Sequence, residues 1–114
     1  MSRLYNILNT IVDRQNPGTL IRPLSSNATS TWTYTAPSTG MFYATIVCSG
    51  ARRYIQVNRN DNAIAGLALP TASNTIYMNA MSFYLKKGDT LRFNDLNSTT
   101  YLHASLTAFV PMGT

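Results

Sequence analysis

The chain has 114 residues, nine Lys and Arg, four Asp, no Glu, one His and one Cys, for a net charge of +5. A single cysteine excludes an internal disulfide framework, no apolar run approaches the ~20 residues of a membrane span, and the scarcity of His and Glu leaves little for acid–base chemistry. A length of this order specifies one domain able to bury roughly two-thirds of its unfolded surface.

Charged residues make up 11% of the chain, against the usual quarter or so, and Ser, Thr and Asn fill the difference. The surface is therefore polar but weakly charged, a composition typical of rugged extracellular or virion β-proteins. The basic residues are scattered from Arg3 to Arg92, so they read as solvated surface rather than as a nucleic-acid patch. Residues 1–15 carry charge and lack the continuous apolar stretch of a signal peptide. The expected setting is a virion or extracellular protein produced without one.

Taken in chain order, residues 2–15 form the one helical pattern. Leu4, Ile7, Leu8 and Ile11 recur at helical spacing, Ser2 is placed to cap the first turn, and Asn16-Pro17-Gly18 stops it. About thirteen residues are marginal as a lone helix in water, so the stripe must pack on something. A seam between identical helices, docking onto its own domain and docking onto other virion proteins all remain open. The helix is too short and too weakly basic for stable membrane anchoring. The expected division is 1–18 as an assembly helix and stop, 19–30 as a polar connector, and 31–114 as the head domain.

From Trp32 onward everything reads as strand and turn. Trp32 and Tyr34 alternate with Thr, giving one buried face and one wet one. Residues 41–48 are nearly all apolar and predict a strand covered on both faces. Residues 54–59 alternate Ile55 and Val57 with Gln56 and Asn58. Asn60-Asp61-Asn62 is a turn cluster whose residue types tolerate left-handed backbone. Residues 63–69 are a short apolar piece. Residues 76–85 alternate over a long strand, Lys86-Lys87-Gly88-Asp89 forms a tight corner, and residues 90–93 return as a second strand, as in a hairpin. Residues 102–110 predict one closing strand with Leu102, Ala104, Leu106, Ala108 and Val110 on its apolar side. The fold class expected is all-β: a compact antiparallel jelly-roll β-sandwich with a short N-terminal helix.

The order of these units resembles a known family. Tyr34-Thr35-Ala36-Pro37 followed by Gly40-Met41-Phe42-Tyr43, the stretch from Val57 through Asn60-Asp61-Asn62 to Ala65, Leu85-Lys86-Lys87-Gly88-Asp89-Thr90-Leu91, and the closing run from Ala104 to Val110 are similar to successive motifs of the globular head of the first complement component. The resemblance covers about residues 32–111. It extends to the tumour-necrosis-factor ligands and to bacteriophage and prophage structural proteins of that shape. It implies a homotrimer of jelly rolls. Two departures stand out: Asp61-Asn62 replaces the usual Asn-Gly, and the chain is shorter than the complement heads. No calcium-site carboxylate cluster carries over, because the domain contains only Asp61, Asp89 and Asp95.

No cofactor, metal or catalytic residue is expected. Cys48 and His103 lack a third orienting group, and a lone His falls short of a metal's ligand count. Trp32, seven tyrosines and many short polar side chains suit sugars, because rings stack on apolar sugar faces while amides reach hydroxyls. The candidate binding residues lie in turns: Arg52, Arg53, Asn60, Asp61, Asn62 and Tyr101. Tyr43, Tyr77, Tyr84 and Phe109, with Tyr34, are expected in the core or at a trimer axis. The function expected is a non-enzymatic trimeric structural and adhesive protein, a phage or prophage fibre or head-fibre component that binds a cell-surface glycan. The alternative is a secreted lectin-like or ligand-like binding module of bacterial origin. Membrane insertion and nucleic-acid binding are not expected.

Overall fold

Alternation sets up the first strand of the computed structural model, which describes residues 19–50, 53–69 and 76–112. In β1 (Trp32–Thr35), Trp32 and Tyr34 turn inward and the threonines face water. The chain continues through β2 (Gly40–Cys48), β3 (Arg53–Arg59), β4 (Asn62–Leu69), β5 (Tyr77–Leu85), β6 (Thr90–Phe93), β7 (Thr100–Leu102), a 3-10 turn (Ala104–Leu106) and β8 (Ala108–Pro111). Two antiparallel sheets result. Sheet 1 has the order β1-β6-β3-β4; sheet 2 runs β5-β2-β7, with β8 paired to the other end of β2. This is the antiparallel β-sandwich expected of a jelly roll. The expected helix, with Leu4, Ile7, Leu8 and Ile11, lies outside the described residues.

Aromatic rings fill the space between the sheets. Phe42, Phe93 and Phe109 are fully buried, joined by Ile46, Ile55, Val57, Leu85, Leu91 and Leu102. The Tyr34 and Phe42 ring centroids are 5.2 Å apart, Tyr34 and Phe109 5.6 Å, Phe42 and Phe93 5.9 Å, and Trp32 and Phe93 6.2 Å. These are the offset and tilted distances that aromatic pairs prefer. Tyr34 and Tyr77 are half-buried against this core and Phe109 is inside it. Cys48 is buried there as well, accepting a hydrogen bond from Thr100 Oγ1 at 3.4 Å.

Three expectations are corrected. First, β5 and β6 are not a hairpin. β5 pairs with β2 along its whole length, from Tyr77–Cys48 to Leu85–Gly40, while β6 pairs with β1 and β3 in the other sheet. The Lys86–Asp89 turn is a corner between layers, helped by Gly88 at φ 88°. Second, residues 102–110 are not one strand. The Ala104 N–H donates to Asn27 Oδ1 at 2.8 Å, and Thr107 Oγ1 donates to the His103 carbonyl at 2.8 Å, which holds a 3-10 turn in the middle. The turn switches the facing of the side chains, so Phe109 enters the core and Leu106 is 45% exposed. Third, β2 is covered on its second face only in part: Phe42, Ala44, Ile46 and Cys48 are buried on one side, whereas on the other Val47 is buried and Tyr43 is 45% exposed.

One end of the sandwich is fastened by hydrogen bonds between turns. Asn60 and Asp61, at φ 50° and 66°, make the two-residue connection between β3 and β4, a backbone that Asn and Asp tolerate. Asn60 Nδ2 donates to Asp89 Oδ1 at 3.0 Å, and Asn60 Oδ1 accepts from the Thr90 N–H at 2.9 Å. The Ala36 N–H donates to the Asp89 carbonyl and the Gly88 N–H to the Ala36 carbonyl, both at 2.9 Å. The connector is stitched on as well: Ile21 pairs with Phe109, and Ala28 with Leu102.

Candidate functional site

Strand parity gives the two outer faces of the sandwich opposite chemistry. On sheet 1, burial of Ile55, Val57, Leu91 and Phe93 turns Tyr54, Gln56, Thr90 and Arg92 outward, alongside Thr33 and Thr35, while Asn58 on the same side is buried, at 8% exposure. Asn58 and Thr33 both stand opposite Arg92 in register. Asn58, Asn94, Arg92 and Asp61 form a connected row. Arg92 Nε donates to Asn94 Oδ1 at 3.0 Å, and Arg92 Nη1 meets Asp61 Oδ1 at 3.1 Å. Asn94 Nδ2 donates to Asn58 Oδ1 at 3.1 Å and to the Gln56 carbonyl at 3.0 Å. The guanidinium is thus held by one neutral amide, Asn94, which Asn58 in turn fixes, and by one carboxylate.

Beside the row lies an aromatic platform. Tyr54 is 58% exposed. Its ring lies over Gly66 of β4: a Cβ added at Gly66 would come within 2.7 Å of the Tyr54 hydroxyl and 3.2 Å of its ring carbon Cζ. Gly66 pairs with Gln56, so the ring leans across the hairpin onto the edge strand β4, on the side of β3 opposite β6. Only a residue without a side chain lets the ring sit that low. This arrangement can stack on a flat apolar surface and hydrogen-bond to hydroxyls beside it.

Sheet 2 presents the other chemistry. Its outer side carries Tyr43, Met78 and Tyr84, exposed by 45%, 56% and 47%, with Met41 and Val110 between them and no charged side chain projecting from its strands. A shallow groove of about 230 Å³ crosses it, floored by Thr45, Ala80 and Ser82 and walled by Tyr43. A second concavity of about 390 Å³ lies between the connector and Trp32, lined by Ser25, Asn27 and Thr29 among others.

The turn residues chosen from sequence fall in different places. Asn60, Asp61 and Asn62 sit together at the β3–β4 turn, and Asp61 joins the polar row through Arg92. Arg53 heads β3; Arg52 lies outside the described residues. Tyr101 is on β7, opposite Val47 in sheet 2. Tyr43 and Tyr84 occupy the outer side of sheet 2. Sequence reasoning missed Tyr54, Gly66, Arg92 and Asn94; the alternation of Tyr54 with buried Ile55 was the available signal for the first of these.

Cys48 and His103 are apart. The His103 N–H bonds the Thr45 carbonyl, three strand positions or roughly 10 Å from Cys48. The His103 ring hydrogen-bonds Ser105 at 3.0 Å. Among the described residues no group of three or more His, Cys, Asp or Glu is placed to hold a metal, and no helix is long and apolar enough to cross a membrane.

No protein-family model matches this chain, and a comparison with curated proteins finds no match. Solved structures of similar outline include a family 35 carbohydrate binding module from Clostridium thermocellum, at 16% identity over 71% of this chain and 67% of that one, with a TM-score of 0.43. A CBM35 module from Cellvibrio japonicus Abf62 gives 18%, 87% and 86%, and 0.46. A Podospora anserina GH26-CBM35 β-(1,4)-mannanase gives 11%, 88% and 26%, and 0.47. None of these scores reaches one half, so neither a ligand nor a residue role is carried from those proteins to this chain.

Proposed function

We propose that this chain is a non-enzymatic carbohydrate-binding module whose ligand face is the outer side of sheet 1. The observation that carries this reading is the Tyr54 ring laid over Gly66 beside the row of Gln56, Asn58, Asn94, Arg92 and Asp61. Sugars present an apolar face and a rim of hydroxyls, and this surface offers a ring for the one and fixed donors and acceptors for the other. Asn58, Asn94, Arg92 and Asp61 are already hydrogen-bonded to one another, so little of their side-chain freedom is lost when a ligand arrives. A glycan array with the native chain and a Tyr54→Ala variant tests it. The native chain binds carbohydrate and the variant, equally stable, does not. Absence of carbohydrate binding by the native chain overturns the reading.

A second reading concerns assembly and is compatible with the first, because it uses the opposite face. The uncharged outer side of sheet 2, with Tyr43, Tyr84 and Met78 exposed, supports packing against further copies of the chain. A chain of net charge +5 self-associates best through strands that project none of that charge, and among the described residues the Arg59 guanidinium reaches this sheet at its edge, on the Tyr84 carbonyl. Together with the resemblance to complement heads, this favours a homotrimeric adhesive protein of a phage or prophage fibre, with Leu4, Ile7, Leu8 and Ile11 joining it to other particle proteins. Neighbouring tail, portal or capsid genes fit that setting; a transporter or glycan locus fits a secreted module instead.

A further inference from the structure

The spacing of the sheet 1 face says what kind of sugar it takes. Gly66, under the Tyr54 ring, lies on β4 opposite Gln56, and Arg92 lies on β6 opposite Asn58. The line from the ring to the guanidinium crosses two interstrand spacings of about 4.8 Å and two residues of about 3.4 Å along the strand, roughly 12 Å in all. A pyranose ring built from bonds of about 1.5 Å is roughly 5 Å from one glycosidic oxygen to the next. One ring cannot reach both ends; two or three linked rings can. Gln56, half-buried on β3, lies between the two ends.

The charge on the face is also informative. Among the described residues, Arg92 and Asp61 are the charged side chains of this row, and they pair with each other at 3.1 Å. Asp61 is 87% exposed and engages Arg92 through one oxygen, which leaves its second oxygen and Arg92 Nη2 for hydroxyls. A carboxylate acceptor beside a guanidinium donor suits a pair of neighbouring hydroxyls on an uncharged sugar. An acidic sugar would place its carboxylate against Asp61.

Resting on the carbohydrate-binding reading above, we propose that this face takes a linear, uncharged oligosaccharide of at least two rings. It lies diagonally across β3 from Tyr54 to the Arg92–Asp61 pair, and Gly66 is the positioning residue that sets the height of the stacking ring. The atoms an added Cβ at Gly66 would meet are the far end of the flexible Tyr54 side chain. Gly66→Ala therefore lifts the platform while the strand keeps its pairing.

The test is calorimetric titration of the native chain and of Gly66→Ala with malto-, cello- and manno-oligosaccharides of one to five rings. In the series that binds, affinity rises about tenfold or more between one ring and three and then levels. Binding is unchanged between about 0.05 and 0.5 M salt, because no net charge is neutralised. Gly66→Ala melts no lower than the native chain and binds about tenfold more weakly. A single ring binding as tightly as three overturns the length assignment while the carbohydrate reading stands, and a binding that collapses with salt overturns the neutral one. Unchanged affinity in Gly66→Ala removes its positioning role. If no series binds, this proposal fails; the array with Tyr54→Ala then decides the broader reading separately.

Discussion

Gly40 shows how one residue sets the packing at the seam of sheet 2. A Cβ there would collide with the Val110 carbonyl and come within 2.8 Å of the Phe109 ring and 2.9 Å of Pro111 Cα. Two of these three neighbours are backbone of the paired strand β8, which cannot move aside without breaking the pairing of Gly40 with Pro111. Gly40→Ala is therefore expected to destabilise the fold by about 1–3 kcal/mol, the usual range for overpacking, as read by urea denaturation with unchanged slope. Gly66 is the contrasting case. The atoms crowding it belong to an exposed tyrosine, so the same change there is expected to affect the proposed ligand face and spare the fold.

At the scale of elements, the turns at one end act as a unit. Asp89 accepts from the Asn60 amide at 3.0 Å and from the Lys86 N–H at 2.9 Å. These bonds, the Asn60 amide first and the Lys86 N–H next, hold its carboxyl below the ordinary value of 3.8. A carboxyl whose pKa is lowered by folding contributes stability that is fully present above the unfolded value and is lost as pH falls through the folded one. Melting followed from neutral pH downward is thus expected to show a fall on the acid side of 3.8, beginning where the unfolded chain takes up the proton. Asp89→Asn removes that step and lowers the melt at neutral pH, because Asn offers the Lys86 N–H and the Asn60 amide one oxygen in place of two. An identical acid limb in the variant assigns the loss to other carboxyls.

For the whole molecule, the two outer faces are proposed to divide the work. A face with Tyr43, Met78 and Tyr84 exposed and no charge projecting from its strands is the one suited to burial between copies. Light scattering on the eluting protein is expected to give about three times the 12.6 kDa chain mass. Tyr43→Glu with Tyr84→Glu places two charges in that interface and is expected to return the mass to that of one chain. The melt of the sandwich should survive, since both side chains are nearly half exposed in the single chain. A native mass of one chain at micromolar concentration ends the trimer reading and leaves the carbohydrate face untouched.

The class of fold and most strand positions follow from short-range patterns along the chain. Alternation located Trp32–Thr35 and Tyr77–Leu85 closely, a nearly continuous apolar run located Gly40–Cys48, the Lys86–Asp89 corner marked the start of Thr90–Phe93, and Asn60-Asp61 marked the β3–β4 turn because those side chains accept left-handed backbone. These signals are local: each depends on a few consecutive residues. Only the tertiary structure decided which strands are neighbours. Period-two alternation says which face of a strand is apolar and is silent on its partner, so β5 and β6 read as a hairpin although they belong to different sheets. The facing of residues 102–110 was hidden for a related reason: the 3-10 turn that switches it is held by Asn27, far away in the chain. The proposed ligand face was least legible of all. Tyr54, Gly66, Asn94 and Arg92 are ordinary strand and loop residues in the sequence, and they become a site through the register of β3 against β4 and β6, which distant hydrogen bonds and the shared aromatic core impose.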